Sequence, residues 1–214
     1  GQWNSKSTYQ KAYPTFTPTK KEDKLYNIPD KENAAAVGTV NFKMNRESAD
    51  YAAMLMANEM LGSGGFLSAR IPMSIQEKEG ISYGAGSYVS IPNDSKNDVA
   101  SWSYYAFLNP TKRDAVEKAL KEEVSKALKD GFTADELKTN IVSWKNSRNT
   151  SLGTDGTLLG LSNNYILNGI KFDEFDNLEK KVDALNVNQV NEVLKKYISL
   201  DKLTSVYTGT FDKK

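Results

Sequence analysis

The chain has 214 residues, 39% hydrophobic and 26% charged, with 28 basic against 27 acidic side chains and neither cysteine nor histidine. That length can withdraw roughly 70% of the unfolded surface from water, as one domain or two small lobes; no run approaches the ~18 apolar residues of a membrane span, and a net charge of +1 gives no long-range field for nucleic acid or an acidic membrane. Without cysteine there are no disulfides or thiolate metal sites, in whichever compartment, and without histidine the chain alone builds neither a Ser-His hydrolase nor a zinc hydrolase.

Residues 1–30 read as a linker or N-terminal extension, interrupted by Pro14, Pro18 and Pro29 and carrying the charge run Lys20-Lys21-Glu22-Asp23-Lys24, with no signal-peptide pattern. Trp3, Tyr9, Tyr13 and Phe16 interleave with Lys6 and Lys11; stacking on single-stranded nucleic acid is one reading, and docking of the extension onto its own domain or a neighbour is the preferred one. Residues 31–214 read as one domain. Ala34 to Met44, with Val37, Val40 and Phe42, predicts a first, central strand. Ser48 is placed to cap a helix carrying Tyr51, Met54, Leu55 and Leu61 at helical spacing.

Gly62-Ser63-Gly64-Gly65 ends that helix, and its glycines allow left-handed backbone angles at a corner. Leu67, Ile71, Ile75 and Gln76 follow at helical spacing up to Gly80. Ser82 to Ile91 and Val99 to Leu108 then predict a hairpin across Pro92-Asn93-Asp94-Ser95-Lys96-Asn97-Asp98, a polar turn that lacks the spaced ligands of a calcium loop. Two motif matches fail on context. The glycines follow a helix and put Phe66 where a phosphate loop needs lysine. Gly80-Ile81-Ser82-Tyr83-Gly84 spells a hydrolase elbow, but in helix-turn-strand order.

Asn109-Pro110-Thr111 starts the longest helix, through Asp130, with an apolar stripe of Ala115, Val116, Ala119, Leu120, Val124, Ala127 and Leu128 and an end at Gly131. Thr133 and Glu136 form a capping box for a helix that points Leu137, Ile141 and Trp144 inward. Helical spacing continues at Leu158, Leu159, Tyr165 and Ile166, then at Phe175, Leu178, Val182 and Leu185. Asn186 and Gln189 cap a last helix, and Leu203 to Thr208 is a final strand that must cross back to the sheet. The expected fold is α+β, a largely antiparallel sheet with helices on one face.

The run Leu61-Gly62-Ser63-Gly64-Gly65, then Ser68-Ala69-Arg70-Ile71, then Ile75-Gln76-Glu77-Lys78-Glu79-Gly80-Ile81-Ser82-Tyr83, resembles the non-catalytic half of the insulinase and pitrilysin (M16) zinc metallopeptidases. The junction at Gly131-Phe132-Thr133, with Glu136-Leu137, is a second point of likeness, and the element order from Glu32 to Phe211 fits one such half. The resemblance implies an M16-half fold in which Gly62, Gly64 and Gly65 shape the wall of a substrate chamber. It also implies an Arg…Tyr pair seven residues apart that holds the substrate backbone. The tyrosine falls on Tyr83 and the arginine on Gln76, which lacks the charge and rigid fork of a guanidinium. Arg70 matches a different arginine of the pattern.

Where the zinc-bearing half has His-x-x-Glu-His, this chain has Met56-Ala57-Asn58-Glu59-Met60, so apolar packing replaces coordination and Glu59 is expected to be a solvated or capping carboxylate. The implied function is to bind a peptide substrate for cleavage by a separate catalytic M16 half, in the same polypeptide or another subunit, which supplies the zinc. This chain is then expected to carry no metal ligand, no catalytic residue and no activity of its own. The missing arginine keeps a second reading open, an inactive structural or assembly subunit, and an unrelated peptide-binding module is a third. The bacterial enzymes it resembles suggest a periplasmic address.

Overall fold

The computed structural model describes residues 4, 6–8, 10–64, 68–77, 82 and 84–211, apart from the side chains of Gln76 and Glu77. At its centre is strand β2 (Ala34–Lys43), which buries Ala34, Ala36, Gly38, Val40 and Phe42 and leaves Ala35, Val37, Thr39 and Asn41 half-buried. That period of two is what a sheet shows when only one face carries helices. Strand β4 (Val99–Leu108) pairs antiparallel along the whole of β2 and turns Ala100, Trp102, Tyr104, Ala106 and Leu108 to the same side. Gly38 lies opposite Tyr104 in this register, and a Cβ there would fall on the Tyr104 ring. Lacking one, it lets the ring lie flat across β2 and its hydroxyl reach Ser205 Oγ at 3.2 Å.

Strand β3 (Gly84–Ser90) lies outside β4, and β5 (Thr204–Gly209) returns beside β2. Strand β1 (Glu22–Asn27) runs parallel to β5, giving the order β1-β5-β2-β4-β3 with the other three pairs antiparallel. β1 lies inside the stretch read as an extension; its strongly charged sequence has no apolar alternation, and its place is set by the hydrogen bonds it makes to β5. The preceding residues also dock on the domain: Asn41 donates to the Thr17 carbonyl, Thr19 Oγ1 accepts from the Asn41 amide, and Tyr13 donates to Asp94.

Seven α-helices lie among the described residues: α1 (Tyr51–Asn58), α2 (Arg70–Glu77), α3 (Arg113–Asp130), α4 (Ala134–Ser151), α5 (Asp155–Asn168), α6 (Glu174–Asp183) and α7 (Val187–Tyr197). The fold is therefore α+β with a mostly antiparallel sheet. Val116, Ala119, Leu120, Val124 and Ala127 of α3 pack into the same core as Met54, Ala57 and Leu61 and as Val190 and Leu194 of α7. Ala115 is exposed, at the edge of that stripe. Gly131 ends α3 at φ +75°, a backbone state that side chains disfavour, and both capping boxes form, Thr133 with Glu136 and Asn186 with Gln189. Ser48 does not cap α1. It accepts from the Asn45 amide within a turn, while Asp50, at the cap position, binds Lys196 and Tyr197 of α7 instead. Among the described residues, no helix is long and apolar enough to cross a membrane.

Candidate functional site

Helix α1 does not stop at Asn58. It widens into a π-helical turn, Glu59–Ser63, closed by the Gly64 amide donating to the Glu59 carbonyl at 2.8 Å. Such widened turns recur at functional sites. The turn rests on the outer strand: a Cβ on Gly62 would lie 2.5 Å from the amide nitrogen of Ser87, and one on Gly86 would lie 2.8 Å from the Gly62 carbonyl oxygen. Gly64 is as confined, with the Glu59 carbonyl oxygen 2.6 Å and Asn140 Oδ1 2.9 Å from where its Cβ would be. Its backbone is extended, at φ −63° and ψ 165°, and Gly62 lies within the π-helical turn, so left-handed angles are not why glycine stands at either position. Both are glycine because backbone approaches backbone with no room for a methyl group.

Buried polar contacts fix this arrangement. Ser87 Oγ donates to Asn58 Oδ1 at 2.8 Å, tying β3 to the end of α1. Asn140 of α4 donates to the Ser68 carbonyl, and its Oδ1, buried beside Gly64, has no partner among the described residues. Two residues on, Arg70 forms a two-pronged pair with Glu136 at 2.8 and 2.9 Å, donates to the Gly131 carbonyl and lies 4.7 Å from the Phe132 ring centroid. Arg70 is thereby committed to α4 as a structural clamp. Burial pushes the Glu136 carboxyl upward, but the Arg70 hydrogen bonds and the Thr133 amide outweigh it and hold the group below its ordinary value.

Between this turn, α2 and β3 lies a cleft of about 480 Å³, within the range of ligand sites. Gly62, Ser63 and Gly64 form one wall, Pro72 and Ile75 of α2 another, and Tyr88 and Tyr105 project from the helix-free sheet face into a third. Tyr88, 47% exposed, contacts Tyr105, which contacts Phe107, 54% exposed, so an aromatic lane leads out over the sheet. Of the residues the sequence singled out, Gly62 and Gly64 line the cleft. Gly65 and Tyr83 lie outside the described residues, although Ser82 and Gly84, on either side of Tyr83, line it. Gln76 sits on α2 next to the lining residue Ile75, with its side chain outside the description.

Glu59 is neither solvated nor a cap. It is half-buried and accepts from Ser63 Oγ at 2.8 Å, and burial, partly opposed by that bond, raises its carboxyl above the ordinary value. Met56 and Met60, which the sequence resemblance set against the His-x-x-Glu-His ligands, are 0% and 1% exposed in the core. Among the described residues no three of His, Cys, Asp and Glu gather to hold a metal, so this chain's residues do not fit a zinc ion. Asn58, Ser87 and Asn140 were not singled out from sequence; the available signal was a polar residue in phase with an apolar stripe.

The sequence profile of the peptidase M16 inactive domain matches residues 1–141. The chain belongs to that family. A peptidase M16 inactive domain from Pseudomonas fluorescens superposes with a TM-score of 0.75 at 20% identity, over 90% of this chain and 44% of the other. A protease from Helicobacter pylori gives 0.75 at 18% identity, over 94% of this chain and 48% of the other. The periplasmic protease PqqL from Escherichia coli gives 0.70 at 16% identity, over 96% of this chain and 22% of that one. At such identities the likeness is one of fold, and this M16 domain spans less than half the length of those relatives. No curated protein matches the chain.

Proposed function

We propose that this M16 inactive domain forms a wall of a peptide-degrading chamber, holding a peptide in the cleft at Gly62, Ser63 and Gly64 while a zinc-bearing catalytic half cleaves it. The observation that carries the reading is the seating of the glycine turn on β3 beside a cleft that opens onto an aromatic lane. The Gly62 backbone lies against Gly86 and Ser87 in the middle of β3, and the peptide is held by the cleft that this turn lines. Gln76 and Tyr83 stand at the positions of the family's Arg…Tyr clamp, Gly65 follows Gly64 in the same glycine-rich run of the sequence, and the zinc and the attacking water come from the partner half. A periplasmic site of action belongs to this reading, supported by the periplasmic protease among the structural relatives.

In the complete protein or complex bearing the zinc half, Tyr83→Phe is expected to lower turnover by more than it lowers stability, and Gln76→Arg to tighten peptide binding. Michaelis kinetics beside denaturation curves check both. A second reading, an inactive assembly subunit, is favoured by the uncharged Gln76 and gains if neither substitution changes the kinetics.

A further inference from the structure

A second cleft, also of about 480 Å³, lies beyond the opposite end of α1, between the start of that helix, the end of α4 and the inner side of α5. Two arginines line it. Arg46, in the β2–α1 loop, donates from Nη2 to the Tyr165 hydroxyl at 3.0 Å and lies 5.8 and 5.1 Å from the Tyr51 and Tyr165 ring centroids. Arg148, in the last turn of α4, donates from Nη2 to the Phe175 carbonyl at 2.9 Å and lies between Trp144 and Phe175, 4.6 and 3.7 Å from their ring centroids.

Every acceptor these guanidinium groups use is neutral. Neither makes an ion pair among the described residues; Glu179, the carboxylate whose charge Arg148 feels, is committed to Lys145 at 3.0 Å. Burial, with Arg46 adding a smaller push, lowers the Arg148 pKa, and its buried Nε–H has no partner. Two like charges that share a half-buried cleft without a counter-ion destabilise each other. Guanidinium forks match carboxylate and phosphate oxygens, and Leu55 and Leu161 add apolar wall beside them.

We infer that this cleft binds a small organic dianion, a phosphate monoester or a dicarboxylate, whose charges lie against Arg46 and Arg148 and whose apolar part packs on Leu55 and Leu161. The site is separate from the peptide cleft, which lies past the far end of α1. Calorimetric titration of the full chain with phenyl phosphate and with phthalate, at constant ionic strength, tests it. Saturable one-to-one binding of at least one is expected, and which one binds identifies the phosphate or the carboxylate source. Arg46→Gln should weaken it at least about tenfold, the scale of one charge-assisted pair.

Because Arg46→Gln also removes the Tyr165 contact, Gly160→Trp carries the test independently. Gly160 lines the cleft from α5, and a Cβ there meets nothing within 4 Å, so a side chain can start there without a clash and an indole can reach into the cleft. Gly160→Trp should keep or raise the thermal midpoint, since glycine is a poor helix residue, and should weaken anion binding at least about tenfold. Failure of both anions to saturate by about 10 mM, or unchanged affinity in Gly160→Trp, would overturn the site and leave the arginines as packing residues.

Discussion

A single missing methyl group decides how the cleft beside the glycine turn is built. Gly62→Ala would place a Cβ 2.5 Å from both the amide nitrogen and the hydroxyl of Ser87. Backbone cannot give way as the tip of a side chain can, so the π-helical turn must lift from β3; urea denaturation should show a loss of about 1–3 kcal/mol. Glu59, on the same turn, carries the opposite sign of effect. Its carboxyl is raised above 4.5 chiefly by burial, so the native state holds this proton more tightly than the unfolded chain does. That contribution is fully present below pH 4.5 and is lost as pH rises through the raised value. Glu59→Gln should therefore raise the thermal midpoint at neutral pH and flatten its fall between acid and neutral pH; an unchanged pH profile would show the carboxylate to be solvated after all.

Among the elements, α4 organises the site. Its capping box and its next inward turn hold the Ser68 to Arg70 segment, through Asn140 on the Ser68 carbonyl and Glu136 on Arg70. Thr133→Ala removes the cap and should cost about 1 kcal/mol. Glu136→Gln removes the cap partner and the two-pronged ion pair together. Since the Glu136 carboxyl is held below its ordinary 4.5, its contribution is present above that pH and is lost as pH falls through the depressed value. The acid limb of the stability curve should shrink in Glu136→Gln, measured by thermal melts from pH 3 to pH 7, while Thr133→Ala keeps most of it. The cap was legible from Thr133-Ala134-Asp135-Glu136 because capping is local chemistry; the partnership with Arg70, 66 residues away, was not.

At the scale of the whole molecule, the chain contains no imidazole and no thiol, and Met56 and Met60 are buried in the core. The purified chain is expected to show no chelator-sensitive peptidase activity against a casein-type substrate, and activity abolished by a chelator would refute its role as the non-catalytic partner. The sheet illustrates how far sequence reaches. β2, β4 and β5 were legible because alternating burial writes a period of two into each strand, and β3, whose burial does not alternate, was legible from the polar turn that joins it to β4. β1 was not, because a charged edge strand is defined by its hydrogen bonds to β5 and by little that its own side chains bury.

The sequence by itself determined the layered α+β architecture, both capping boxes, the family and the lack of any imidazole or thiol, because periodicity, local hydrogen-bonding chemistry and the absence of a residue type are properties of the linear chain. Only the tertiary structure decided why Gly62 and Gly64 are glycines, that Arg70 clamps α4, that Glu59 is half-buried, and that Arg46 and Arg148 share a cleft. Those facts depend on which backbone lies against which, and on burial shared between residues far apart in sequence, which no local pattern records.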